Sequence, residues 1–310
     1  MDIAFKLSQR VTLITPARYL FNAGKTSKEW NDKLLNDNHF KVIWYKANST
    51  DIFPNVDIKG GVAVMYRDSQ ADFGKIGHYT AFPKLNSIYH KVTAHSSFRP
   101  LSDIIYPQNK FNLKALYQLF PQLRERIGSE GNEKRLTTSI FSITEVFSYK
   151  PHDETDLKIL GLVNNNREYR WIKSDFIESH PCLQKYKVII PKSNGSGAIG
   201  ETLSNPLIGE PLIGVTQSFI LIGAFDALQE AISALKYIKS KFSRSLLGIL
   251  KVTQDNSKDT WAFVPLQDFT DSSDIDWSKS IEDIDRQLYT KYGLTKEETD
   301  FIESIIKPMK

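Results

Sequence analysis

The chain has 310 residues, 41% hydrophobic and 25% charged, which is the make-up of a globular protein long enough for two domains with their own cores. No apolar run reaches the roughly 20 residues of a membrane-spanning helix, and the opening Met1-Asp2-Ile3-Ala4-Phe5-Lys6 reads as an amphipathic start, not a signal peptide. The single cysteine, Cys182, excludes internal disulfides and multi-cysteine zinc sites and fits a cytoplasmic location without a membrane. The net charge of +4 conceals an asymmetry. Residues 254–310 hold 13 acidic and 7 basic side chains, a net of −6, which leaves +10 for residues 1–253. A basic body with an acidic last segment is compatible with a polyanionic partner.

Taken in order, residues 2–9 read as a helix end and 11–15 as a short buried strand stopped by Pro16. A helix follows over 27–35, with Thr26 or Ser27 as N-cap and Trp30, Leu34 and Leu35 on its apolar side. Strands are expected at 40–45 and 61–66, and strand–helix–strand order predicts part of an α/β sheet with helices on its faces. Residues 85–92 and 112–120 carry short helical patterns among prolines, and 128–132 is the expected linker. A strand-rich region comes next: partial alternation over 138–147, then strands at 157–163 and 168–172 around Asn164-Asn165-Asn166, and a strand at 187–190 ended by Pro191.

The glycine-rich Lys192-Ser193-Asn194-Gly195-Ser196-Gly197 reads as an open loop and contact surface, and it lacks the spacing of a P-loop. From Val215 onward an apolar strand leads into one long amphipathic helix, its stripe formed by Phe225, Leu228, Ile232, Leu235, Ile238 and Phe242. Two C-terminal helices are expected over 280–292 and 295–306. Ser280 with Asp283, and Thr295 with Glu298, have capping-box spacing.

Three groups of residues have the chemistry of a nucleic-acid face. Arg167, Arg170 and Trp171, with Lys173, combine cations with an aromatic ring that could cover a base or sugar. Surface alternation alone would give a similar pattern. Lys192, Ser193 and Asn194 have the donors to reach phosphates or base edges. Lys236, Lys239, Lys241 and Arg244 cluster at the end of the long helix. They read either as a phosphate-gripping edge or as cations matched to the negative end of the helix dipole. The six histidines show no tight metal spacing, and the acidic residues around 274–285 read as caps, so no metal site is expected.

Val11-Thr12-Leu13-Ile14-Thr15-Pro16-Ala17-Arg18-Tyr19-Leu20, Asp51-Ile52-Phe53-Pro54-Asn55 and Gly60-Gly61-Val62-Ala63-Val64 together resemble the later catalytic-domain motifs of gamma-class N6-adenine DNA methyltransferases of bacterial restriction–modification systems. Residues 215–269, with Thr216-Gln217-Ser218-Phe219 and Lys241-Phe242-Ser243-Arg244, resemble the target-recognition domain that follows. The resemblance implies a partial Rossmann-like methyltransferase sheet (1–75), a helical connector (76–130) and a mixed α+β target-recognition domain with a C-terminal helical segment (131–310). It also implies double-stranded DNA as partner, and S-adenosylmethionine as the methyl donor of the intact enzyme. Phe53 falls where the resemblance implies an aromatic that stacks on a flipped adenine. Without the resemblance Phe53 reads as a core residue at a strand edge; with it the two readings stand level.

The Phe-x-Gly-x-Gly donor loop and the Asn-Pro-Pro-Tyr catalytic motif of that family are both absent, since Asn205-Pro206-Leu207 lacks the second proline and the aromatic. The chain is therefore expected to bind no donor and to be inactive alone. Its expected partner is either the missing N-terminal methyltransferase part or a separate catalytic or endonuclease subunit. The alternative is a free-standing specificity subunit that binds DNA and positions such a subunit.

Overall fold

The computed structural model describes residues 1–21, 25–56, 58, 60–127, 131–195, 197–251 and 253–309. The chain divides into two compact units, Met1–Ser87 and Ile88–Lys310, each of mixed α/β character. Among the described residues no helix is long and apolar enough to cross a membrane.

In the first unit, helix α1 (Asp2–Leu7) precedes strand β1 (Arg10–Pro16), α2 (Lys28–Leu35), β2 (Phe40–Lys46) and β3 (Val62–Asp68). Ser27 caps α2 by accepting the amide of Trp30, one of the four donors a helix start leaves unpaired. β3 lies between β1 and β2 and pairs antiparallel with both, so β1 and β2 run in the same direction. That is a split β-α-β unit in which the third strand has entered the gap, not a run of parallel neighbours. One face is closed by Tyr19, Leu20, Leu34 and Leu35 packed on Phe40, Ala63 and Met65. Ile14 and Trp44, both opposite Val64, remain exposed on the other.

The expected boundary near residue 75 falls inside this unit, and the division lies within α3 (Pro83–Thr93). From Ile88 onward the segment expected as a connector belongs to the second unit. Its strand β4 (Ile105–Tyr106) pairs with a strand more than a hundred residues later. Its helices α4 (Leu113–Leu119) and α5 (Leu123–Arg126) supply Leu116 and Leu123 to a core shared with Ile159, Ile172 and Phe176. Residues 128–130 of the expected linker lie outside the described residues. Residues 138–147 form no strand. Ile140, Ile143 and Val146 recur every third residue, and the segment coils through a 3-10 turn that buries them.

The second unit has two sheets. Strands β5 (Leu157–Val163), β6 (Asn166–Ile172) and β9 (Ile213–Val215) form one, in the order β6-β5-β9. Asn164 and Asn165 both have positive φ, 49° and 63°, as a two-residue type I′ hairpin requires. Gly161 admits Phe141 against this sheet, because a Cβ there would lie 2.5 Å from the Phe141 ring. Gly161→Val is accordingly expected to cost about 1–3 kcal/mol in urea unfolding. An unchanged midpoint would remove the close approach.

The other sheet, β4-β10-β7-β8, contains β7 (Tyr186–Pro191), β8 (Leu207–Gly209) and β10 (Phe219–Phe225) and is antiparallel throughout. The single long helix expected after it is two helices. α6 (Leu228–Lys239) ends at Ser240, whose side chain starts α7 (Lys241–Leu250) by accepting the amide of Ser243. The Asp285 carboxylate accepts the next two free amides, of Lys241 and Phe242, at 3.0 and 2.8 Å. Of the expected stripe Phe225, Ile238 and Phe242 are buried, while Ile232 and Leu235 are half-buried. Ala231, Ala234, Tyr237 and Ile238 are buried, while Leu228 is exposed. α8 (Ile281–Lys291) and α9 (Lys296–Ile305) complete the fold. Thr295 and Glu298 form the reciprocal box. Ser280 accepts only the Asp283 amide, and the Asp283 carboxylate takes the Ser280 hydroxyl instead.

Candidate nucleic-acid interface

The structure separates the eleven residues singled out by sequence into those that face solvent and those consumed by the fold. At the end of α6 and in α7 the phosphate-gripping edge does not form. Arg244 is buried, and its guanidinium donates to the carbonyls of Lys239 (3.0 Å), Glu201 (3.2 Å) and Lys307 (2.5 Å). Burial pulls its pKa down to about 10. Lys236 Nζ donates to the carbonyls of Trp277 (2.8 Å), Ser278 (3.4 Å) and Lys279 (3.0 Å), fastening the approach to α8, and Lys241 pairs with Glu303 of α9. Lys239 is half-buried. The expected cationic edge is thus the seam along which the acidic C-terminal segment docks, which also explains part of the charge asymmetry.

The glycine-rich loop is not open either. Asn194 is buried, its amide side chain bonded to Thr202 O (3.1 Å) and Ser204 N (2.5 Å). The buried Lys251 ammonium donates to Asn194 O at 2.7 Å, and backbone bonds tie Lys192 and Asn194 to Asn256 and Gln254. Lys192 and Ser193 alone among the loop's sequence candidates point outward.

The β5–β6 hairpin retains a cationic and aromatic rim. Arg167, Tyr169 and Trp171 alternate along β6 opposite Leu162, Leu160 and Lys158 of β5, so all six side chains belong to one face, whose middle (Leu160, Leu162, Tyr169) packs on the core and whose ends carry Lys158, Trp171 and Arg167. Lys158 Nζ lies 4.4 Å from the Tyr169 ring centre and 5.7 Å from that of Trp171. Arg167 lies over Phe219 at 5.7 Å and donates to Ser204 O at 2.9 Å, the residue whose amide Asn194 holds. Half-burial lowers the Arg167 pKa and raises that of Tyr169. Ser204 therefore joins Arg167 to the loop bearing Lys192 and Ser193. Arg167 and Trp171 stand roughly 13 Å apart along the strand.

Arg170, on the opposite face, is a correction. It is buried against Glu168 (2.6 Å) and Tyr169 O (2.8 Å), and cannot reach a phosphate. Its guanidinium lies 4.0 Å from the ring centre of Tyr149, an exposed aromatic that the sequence reading passed over.

In the first unit Phe53 is exposed, on a turn whose backbone bonds to Ser49 at 2.9 Å, so it is not a core residue. A cleft of about 430 Å³ in this unit is lined by Phe5, Trp30 and Arg67 among others. Its carboxylates are already engaged, Asp37 by Arg67 at 2.7 Å and Asp2 by the Trp30 indole at 3.0 Å.

A buried thiol and a buried amine are both held in neutral-favouring surroundings. Burial pushes the Cys182 thiol up to about 12, leaving no thiolate. Lys187 is fully buried and donates to Lys185 O (3.0 Å) and Glu210 O (2.7 Å). Burial lowers its pKa from the ordinary 10.5 to about 8, against a smaller opposing effect of Cys182. Between those values the unfolded chain holds the extra proton, so this group makes stability rise with pH through the window and contributes its full burial cost below it. Lys187→Met is therefore expected to lose stability relative to the wild type as pH rises across this range, measured by urea unfolding at each pH. A constant difference would contradict the depressed pKa.

No protein-family model and no curated protein matches the chain. Among solved structures, the type IIG restriction endonuclease BpuSI is similar over 96% of this chain and 46% of that one, at 10% identity and a TM-score of 0.37. The chain thus spans less than half the length of that enzyme.

Proposed function

We propose that this chain recognises double-stranded DNA as the target-reading part of a restriction–modification adenine methyltransferase. The observation that carries the reading is the rim of the β5–β6 hairpin. It places Lys158, Arg167, Tyr169 and Trp171 on one face and joins them through Ser204 to Lys192 and Ser193. Lys158 of β5 and Arg167 of β6 put a cation at each end of this face, which suits phosphates, and the partly exposed Trp171 ring opposite Lys158 suits a sugar or base. The split β-α-β unit is consistent with the late part of an α/β catalytic sheet, and the exposed Phe53 is free of the core, as a base-stacking aromatic must be.

Methyl transfer itself belongs to residues that these 310 do not include, because neither the donor loop nor the catalytic motif is in the sequence. S-adenosylmethionine would supply the methyl group to the assembled enzyme, and no step of its chemistry is assigned to a side chain of this chain. Incubation with labelled S-adenosylmethionine and adenine-containing duplexes is expected to give no incorporation. Clear turnover by the chain alone would overturn this division of labour.

A further inference from the structure

We infer that Tyr149 is a stacking platform for a nucleobase that has left the duplex stack. This rests on the DNA-recognition reading and adds to it a site and a ligand class. Tyr149 is 78% exposed, yet it is not a loose surface side chain. Its neighbour Ser148 is bridged to Trp171 by backbone bonds in both directions, 3.0 and 2.8 Å, and the Ser148 hydroxyl donates to Lys150 O at 2.6 Å. The backbone on either side of the ring is therefore fixed.

The ring itself is seated from behind. The Arg170 guanidinium lies 4.0 Å from its centre and 5.5 Å from that of Phe141, so one buried cation sits over both a core ring and this surface ring. Glu168 and Tyr169 O hold the guanidinium in plane, at 2.6 and 2.8 Å. At 78% exposure the face turned away from Arg170 is open to solvent.

A flat ring on an anchored backbone, with a guanidinium over one face, loses less freedom than a long flexible side chain when something stacks on it, which favours binding. Bases stack on such rings with little regard to sequence. A base inside a duplex has both faces covered, so the ring can accept only one that is unpaired or swung out. Exposed Lys150 beside it and Lys173 at the end of β6 supply positive charge for the flanking phosphates.

The test uses the full chain and two duplexes of one sequence. In one, 2-aminopurine faces an abasic site; in the other it is paired with thymine. The wild type is expected to quench 2-aminopurine fluorescence in the first and to bind that duplex more tightly. Tyr149→Ala should abolish the quench and weaken binding of the unpaired duplex about tenfold, leaving the paired duplex unchanged. Tyr149→Phe should retain both effects. Equal losses on both duplexes, or none on either, would overturn the platform while the DNA reading stood. Failure of the wild type to bind either duplex would overturn both.

Discussion

Arg244→Ala is expected to lower stability to urea by about 3–5 kcal/mol, a large effect for one residue. The guanidinium is the common partner of three carbonyls from three places, the end of α6 at Lys239, the strand connection at Glu201 and the C-terminal tail at Lys307. Truncation removes three charge-assisted bonds at once and empties a buried site between part-buried acceptors, losses that add to one another. Arg244→Lys should recover little, because an ammonium cannot span three directions as a planar fork does. An Arg244→Lys variant of wild-type stability would show that charge alone, and not this geometry, is what the position needs. An Arg244→Ala variant that melts normally but loses DNA would return the residue to the phosphate-binding role first read from sequence.

Replacing Lys158, Lys173 and Lys192 together with glutamine is expected to weaken binding to any duplex. It should also reduce the slope of log affinity against log salt by about 3, one for each phosphate contact removed. All three are at least partly exposed, so the fold should be little disturbed. The informative control is Lys236→Gln with Lys241→Gln. Those ammonium groups are engaged with backbone carbonyls and with Glu303, and their loss should reduce stability without changing the salt slope. The opposite pattern, a slope lowered by the control and untouched by the triple variant, would move the interface to the helix seam.

What could be read from sequence was local. Asn164-Asn165 between two apolar strands specifies a tight hairpin, because asparagine tolerates the left-handed backbone that such a turn needs. Ser27 and Thr295 mark their helix starts for an equally local reason, an oxygen positioned to accept the amide three residues on. What could not be read depends on partners far along the chain. Arg244 and Lys241 look like free surface charge until the residues 62 or 63 positions later are in place against them. The helix break at Ser240 depends on Asp285, which no window around residue 240 contains. The α6 stripe reads from spacing as Leu228, Ile232, Leu235 and Ile238, whereas packing buries Ala231, Ala234 and Tyr237 with Ile238. Arg167, Trp171, Lys192 and Ser193 were legible as a set in composition. That Ser204 connects two of these groups, and that Arg170 turns inward to support Tyr149, came only with the strand register.

The most direct measurement is the affinity of the intact chain for a fluorescently labelled duplex, followed by anisotropy from low to moderate salt. A face built on phosphate contacts should lose about a hundredfold in affinity between roughly 50 and 200 mM salt, as release of counterions from about four phosphates requires. Binding that is absent at the lowest salt, or flat across that range, would contradict the account.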